Sequence, residues 1–170
     1  IRDDPSDNLD LYSLLGLFKT HLAIHKPVAT PSNDKLVVNS NPLYNIMSEM
    51  RELKTAEELR MLQKAISISV VGQIEVMKAV HPNMSEREIQ GIHEFIFRKY
   101  GAQHQGYASI VAAGNHGSVL HYTYNTAEPV GDQLVLMDVG ASYYGYTADV
   151  TRTIPANGIF SDEQAAIYNL

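Results

Sequence analysis

The sequence LVLMDVGASYYGYTADVTRTI, residues 134–154, indicates how the second half of the chain folds. Its first part, Leu134–Val139, is a dense apolar run, and its last part, Tyr146–Ile154, is rich in β-branched residues. Both compositions are typical of strands. The residues between them, Gly140–Gly145, contain a turn. We therefore predict that this stretch forms an antiparallel hairpin.

Two aspartates interrupt the predicted strands and need an explanation. If the tip of the hairpin lies between Tyr143 and Tyr144, Asp138 and Asp149 face each other directly. Carboxylates in opposed positions of an antiparallel pair repel each other, and burial in an apolar strand raises the cost of each charge. A shared proton, an arginine or a metal cation could offset that cost.

The surrounding residues favour the cation. The Asp-Thr/Ser-Gly pattern expected of an acid-protease dyad is absent, and Arg152, three residues along the strand, lies on the opposite face from Asp149. A hard cation bridged by both carboxylates explains the pair best, with Mn²⁺, Zn²⁺ or Co²⁺ as candidates. From spacing alone, the alternative that both aspartates cap turns at strand ends stays open.

Two amphipathic helices are predicted before the hairpin. Thr55 and Ser85 each begin a capping box, and Pro82 and Gly101 mark the two helix ends. Apolar residues at three- and four-residue steps predict a buried stripe on each helix. The first stripe comprises Leu59, Leu62, Ile66, Val70, Ile74, Met77 and Val80, and the second comprises Ile89, Ile92, Ile96 and Tyr100. We predict that the glutamates beside them lie on helix surfaces, namely Glu57, Glu58, Glu86 and Glu88.

These elements predict an α+β fold, with long helices first and an antiparallel sheet after them. A further strand is predicted over Tyr107–Ala113. His121 follows it among aromatic residues, where a histidine is more often structural than a metal ligand or an acid. By itself, His121 therefore does not indicate a function.

Composition excludes several classes of function. The 170 residues carry a net charge of −6, which argues against partners such as nucleic acids or anionic membrane surfaces. No apolar run is long enough to span a bilayer. The chain has no Cys, so disulfides, thiolate nucleophiles and zinc fingers are excluded. We expect a cytoplasmic protein, which the absence of Cys allows but does not require.

The two ends of the sequence suggest a piece of a longer protein. In residues 1–50, apolar periodicity predicts a helix over residues 9–25, and residues 35–38 could form a short strand. The turn chemistry of Asn39–Pro42 suggests a junction. A capping box at Ser161 begins a helix shortly before the last residue, so we expect the chain to be a fragment.

Several motifs together resemble the pita-bread metallopeptidases of family M24. They are Gly106–Val111, Gly114-Asn115, Leu120–Tyr122, Met137–Gly140 and Asp149–Thr153. Their order and spacing over about residues 50–170 are most similar to the Xaa-Pro aminopeptidases (aminopeptidase P) and the related Xaa-Pro dipeptidases (prolidases). The resemblance implies that residues 51–170 are the first half of a pita-bread catalytic domain. Residues 1–50 would then be the end of an N-terminal domain and a linker.

The resemblance also implies a peptidase that uses two divalent metal ions, with Mn²⁺ favoured over Zn²⁺ or Co²⁺. Asp138 would bind one metal, and Asp149 would bridge both. A hydroxide activated by the two metals would attack the peptide carbonyl. His121 would hydrogen-bond the substrate or the developing oxyanion, and Tyr107 would line the same pocket. The substrate would be a peptide with proline in second position, whose N-terminal residue is released.

One departure from the family pattern limits this expectation. The family completes its metal site with a histidine and two glutamates from the second half of the fold, and no segment of this sequence supplies them. We therefore expect the isolated chain to be inactive and to bind metal weakly at most. The sequence leaves open whether the parent is an aminopeptidase or a dipeptidase, and whether it is a homo-oligomer.

Two alternatives from other classes stay open. One is another pita-bread hydrolase, such as a methionine aminopeptidase or a creatinase-like enzyme. The other is a non-catalytic pita-bread module that binds peptides. Such modules usually lose the metal ligands, whereas Asp138, Asp149 and His121 are all present here.

Overall fold

The structure, a computed structural model, describes residues 41–170. This part of the chain is α+β, as predicted, but its strands form two small sheets where one was expected. The helices are α1 (Asn41–Glu52), α2 (Ala56–Ala79), α3 (Glu86–Lys99) and α4 (Asp162–Tyr168). The strands are β1 (His104–Gln105), β2 (Ile110–Ala113), β3 (Leu134–Val139), β4 (Ala141–Tyr143), β5 (Tyr146–Thr147) and β6 (Val150–Pro155).

Both sheets are antiparallel and have three strands each. One has the order β1-β4-β5, and the other has the order β2-β3-β6. Strand β2 begins only at Ile110, so Tyr107 lies before it and outside any strand. The predicted strand over Tyr146–Ile154 is in fact two strands, because the chain leaves the pairing at Ala148 and Asp149.

The helix starts follow the predicted capping boxes. The hydroxyl of Thr55 accepts from the Glu58 amide, and the Glu58 carboxylate accepts from the Thr55 amide at 2.7 Å. Ser85 and Glu88 form the same reciprocal pair at the start of α3. These local interactions satisfy amides that the first helical turn would leave without partners.

The stripe predicted for α2 is wrong. Most of its apolar side chains are 38–46% exposed, namely Leu59, Ile66, Val70, Ile74 and Met77. The buried face of α2 carries two large apolar residues, Ile68 and Val76. Its other buried residues are small or polar, namely Ala65, Ser69, Gly72 and Gln73. Small residues let the helix approach the sheet closely, and the polar ones bond to strand backbone. The stripe on α3 agrees better, since Ile89 and Ile96 are buried there.

The core lies between the two long helices and the larger sheet. Strand β3 alternates, so Val135, Met137 and Val139 are buried while the residues between them are half-buried. Val76 and Ile89 belong to the same hydrophobic cluster as Val135 and Met137. One face of β3 therefore packs on α2 and α3, and the opposite face carries Asp138 beside Leu136, which packs on Tyr122.

The N-terminal predictions fall largely outside the described residues. The helix predicted over residues 9–25 and the strand predicted over residues 35–38 both lie outside the described residues. The last two residues of the junction predicted at Asn39–Pro42 are helical and do not form a turn. Helix α1 begins at Asn41, and Pro42 fits its first turn. Ser48–Leu170 form a compact unit of their own. The domain boundary predicted at residue 50 stays a prediction.

None of the helices within residues 41–170 combines the length and the apolar character that crossing a bilayer requires.

Gly72 allows α2 and α3 to pack closely, which generates a first prediction. A Cβ at Gly72 would lie 2.6 Å from Cε1 of Phe97, a ring that is buried and cannot move aside. Gly72→Ala should therefore lower the free energy of unfolding by about 1–3 kcal/mol, measured by urea unfolding.

Gly91 is the matched control for that substitution. It lies on α3 with no atom within 4 Å of an added Cβ. Gly91→Ala should raise the free energy of unfolding by up to about 1 kcal/mol, since alanine is the better helix former. Equal effects of the two substitutions would contradict the close packing at Gly72.

Buried His93 should make stability depend on pH. Its ring is fully buried against Phe97, neither nitrogen has a partner among the described side chains and backbone groups in hydrogen-bonding geometry, and burial lowers its pKa from 6.5 to about 4. At pH values between about 4 and 6.5, the His93 ring is protonated in the unfolded chain but stays neutral in the folded chain. Stability should therefore fall as pH drops from about 6.5 to about 4, by on the order of 3 kcal/mol in all.

The measurement is urea unfolding at several pH values, compared between the parent sequence and His93→Leu. The variant should lose this part of the pH dependence, whatever its stability at neutral pH. An identical slope in both proteins would show that His93 does not cause it.

Candidate active site

Asp138 lies near the end of β3, on the face of the sheet that the helices leave open. Its neighbours Met137 and Val139 point into the core, whereas Asp138 is half-buried on the same face as Leu136. The apolar alternation of the strand thus presents one carboxylate at the surface and holds its backbone rigidly from behind.

Asp149 lies near Asp138, but not directly opposite it as predicted. The register pairs Asp138 with Thr151, and Asp149 lies two residues earlier on the same face, so the two carboxylates are diagonal neighbours. The turn is centred on Tyr144 and Gly145, with φ values of 48° and 83°. A two-residue turn with both central φ values positive matches the twist of a hairpin. The tip therefore lies between Tyr144 and Gly145, one residue later than predicted.

Gly140 makes the close approach of the two strands possible. A Cβ at this position would lie 1.8 Å from the carbonyl oxygen of Ala148 and 2.9 Å from Cε1 of Tyr107. Any side chain here would displace the residue before Asp149 and the Tyr107 ring together. Gly140 therefore shapes the site without touching either carboxylate.

Tyr107 connects the two aspartates. Its hydroxyl donates to Oδ1 of Asp138 at 2.5 Å and lies 3.2 Å from Oδ1 of Asp149. Burial and the two carboxylates raise the pKa of Tyr107, so the hydroxyl keeps its proton. The sequence predicted only that Tyr107 lines the pocket, because a contact 31 residues away in the chain leaves no local signal.

His121 completes the group of predicted site residues. Its side chain is exposed, and its backbone adopts φ 52°, a left-handed conformation that non-glycine residues rarely occupy. It lines a cavity of about 370 Å³ together with Tyr107, Asp138 and Asp149. All four predicted residues therefore meet in one cavity, although they come from separate segments.

Gln73 of α2 holds the strands behind the aspartates. Its side-chain amide donates to the carbonyl of Met137 at 3.1 Å and to the carbonyl of Val150 at 2.9 Å. Met137 precedes Asp138, and Val150 follows Asp149. Sequence reasoning missed Gln73, since it took the opposite face of α2 to be the buried one.

Glu86 is the clearest correction to the sequence analysis. It was predicted on a helix surface, but its side chain is only 1% exposed. Its carboxylate accepts hydrogen bonds from the segment that contains His121. Burial alone would raise the pKa of Glu86, but these bonds outweigh burial and lower it, so the buried group is ionised at neutral pH.

The chemistry of the donors in the site fits a hard divalent cation. Two carboxylates face one open cavity, and carboxylate oxygens are the ligands that such cations prefer. Arg152 does not neutralise them, because its guanidinium donates to the carbonyl of Thr151. Within residues 41–170, no group of three or more His, Asp or Glu side chains could hold a metal ion. The donors therefore fit a metal but do not complete its coordination.

Comparison with known proteins agrees with this geometry. The profile described as metallopeptidase family M24 matches residues 60–170. The Xaa-Pro aminopeptidase of Escherichia coli (strain K12) is 38% identical over 125 residues, which are 74% of this chain and 28% of that protein. The Xaa-Pro aminopeptidase of Haemophilus influenzae is 42% identical over 128 residues, which are 74% of this chain and 29% of that protein.

A solved structure is similar as well. Zinc-substituted Escherichia coli aminopeptidase P in complex with product superposes with a TM-score of 0.70 at 38% identity, over 73% of this chain and 28% of that chain. The α+β arrangement described above therefore matches part of an aminopeptidase P structure. The chain spans less than a third of the length of these relatives.

Proposed function

The chain belongs to metallopeptidase family M24, and we propose that it is part of an Xaa-Pro aminopeptidase. The whole enzyme would hydrolyse the bond between an N-terminal residue and a proline in second position. The observation that carries this proposal is the convergence of Tyr107, His121, Asp138 and Asp149 on one cavity. The chain's 38% identity to an Xaa-Pro aminopeptidase supports the choice of substrate.

Asp138 and Asp149 would hold the metal ions, which we propose to be two Mn²⁺. Their diagonal placement on one face leaves both carboxylates open to the cavity, so each can offer oxygens to a cation. When bound, divalent cations supply Lewis-acid activation of water and of the peptide carbonyl. Further ligands would have to come from outside residues 41–170.

Tyr107 orients the carboxylates for this role. Its hydroxyl donates to Oδ1 of Asp138 and lies 3.2 Å from Oδ1 of Asp149, so that Oδ2 of each carboxylate is left for other ligands. The hydroxyl therefore serves as a hydrogen-bond donor to the Asp138 carboxylate.

His121 would bind the peptide at the reacting carbonyl. Its exposed imidazole lines the cavity beside the aspartates, so a ring nitrogen can donate to the oxygen on which negative charge develops. Such a donor lowers the barrier because it binds the transition state better than the ground state.

The metal assignment predicts the behaviour of two variants of the whole protein. Asp138→Ala and Asp149→Ala should each lose bound metal and peptidase activity while staying folded, since each removes a ligand and also relieves carboxylate repulsion. Metal content, circular dichroism and hydrolysis of a fluorogenic Xaa-Pro peptide measure the three properties. Asp132→Ala, at an exposed position before β3, is the matched control and should keep all three. An aspartate variant with full metal content and full turnover would refute the assignment.

The role of His121 predicts a different pattern. His121→Ala should keep its metals and lose kcat by about 10²- to 10³-fold, as expected when an oxyanion donor is removed. His104→Ala changes an exposed histidine outside the cavity and should leave kcat unchanged. An unchanged kcat in His121→Ala on an Xaa-Pro peptide would show that His121 is structural.

A further inference from the structure

Glu86 is a buried, ionised carboxylate outside the cavity described above. It lies in the first turn of α3, where the positive end of the helix dipole stabilises an anion. Burying a charge costs free energy unless hydrogen bonds compensate for the lost water. The bonds that Glu86 accepts therefore indicate what the charge is for.

Among the described residues, the bonds to the Glu86 carboxylate all come from the segment 113–126. Oε1 accepts from the backbone amide of Ala113 and from Nδ1 of His116, both at 2.8 Å. Oε2 accepts from the hydroxyl of Tyr122 at 2.8 Å, and from the amide and hydroxyl of Thr126 at 2.7 and 3.0 Å. One oxygen thus holds the beginning of the segment and the other holds its end.

His121 lies in this segment immediately before Tyr122. The Tyr122 ring is buried and stacks on the His116 ring, with centroids 4.6 Å apart, so both rings are held over the Glu86 carboxylate. Within residues 41–170, no hydrogen bond, ion pair or ring contact fixes the exposed side chain of His121 in this way. Its backbone is left-handed, at φ 52°, and the next residue, Tyr122, is one that donates to Glu86.

We propose that Glu86 is a positioning residue, which sets the place of His121 over Asp138 and Asp149 by holding both ends of segment 113–126. This inference rests on the proposed function, because it assigns Glu86 to the use of His121 in catalysis. Glu86 itself does not line the cavity and touches neither aspartate.

The first test is Glu86→Gln in the whole enzyme. The variant keeps the volume of the side chain but presents an amide NH₂ to groups that themselves donate, so one end of the segment loses its acceptor. We expect kcat per metal-loaded enzyme to fall between about 10- and 10²-fold, with KM and metal content unchanged. Glu88→Gln is the matched control, since Glu88 lies two residues later and, among residues 41–170, its carboxylate bonds to Ser85 alone.

A double-mutant cycle separates positioning from plain stability. If Glu86 acts through His121, Glu86→Gln should cost nothing further in a His121→Ala background. If Glu86 serves stability alone, kcat per loaded enzyme should stay unchanged in the single variant. That result, or losses that multiply in the double variant, would overturn the proposal.

Two further measurements allow the positioning role to be tested even if Glu86→Gln misfolds or the proposed function is wrong. If Glu86→Gln does not fold, Tyr122→Phe takes its place in the test. This variant removes a single donor beside His121 and keeps the ring stacking, so its kcat should fall by less than the about 10- to 10²-fold expected for Glu86→Gln. The His121 ring signal in the NMR spectrum, identified by its loss in His121→Ala, reports position without turnover. It should shift or broaden in Glu86→Gln or Tyr122→Phe but not in Glu88→Gln.

The outcomes are distinguishable. If the whole protein cleaves no Xaa-Pro peptide, the proposed function fails, and the His121 signal still decides whether Glu86 positions that residue. An unchanged His121 signal in folded Glu86→Gln would overturn the positioning role, whatever the activity.

Discussion

The side-chain amide of Gln73 bonds to two strand carbonyls at once, and the arrangement of the candidate site depends on this interaction. The two acceptors, Met137 and Val150, lie next to Asp138 and Asp149 along the chain. Ser69, one turn earlier on α2, accepts from the amide of Ala141 at 2.9 Å. Helix α2 therefore binds backbone that lies close in the chain to both carboxylates. Because buried polar groups need partners, sliding the helix would leave several of them unsatisfied.

The same constraint explains why hydrophobic periodicity failed on α2. A helix that bonds to strand backbone must turn small and polar side chains toward the sheet, and its larger apolar side chains then face away. The apolar stripe was real in sequence, but it did not mark the buried face. Periodicity locates a helix reliably, whereas the choice of face depends on a partner that lies elsewhere in the chain.

Local interactions were therefore predicted well and non-local ones were not. The capping boxes at Thr55 and Ser85 involve residues three apart, and the sequence alone identified them. The hairpin was also identified, but its register depended on positive φ at Tyr144 and Gly145, which alternation of residue types does not report. The burial of Glu86 depends on bonds to residues 27 to 40 positions away, so its capping-box neighbourhood suggested a surface residue instead.

The site is thus divided between two helices. Gln73 on α2 holds the backbone next to the two aspartates, and Glu86 on α3 holds the segment of His121. The relative position of carboxylates and imidazole then depends on how α2 packs on α3, together with the pairing of β2 with β3. That contact includes Gly72, the residue next to Gln73, whose missing side chain leaves room for the ring of Phe97. Closely packed interiors transmit small displacements, so a shift at Gly72 would move one half of the site against the other without touching either.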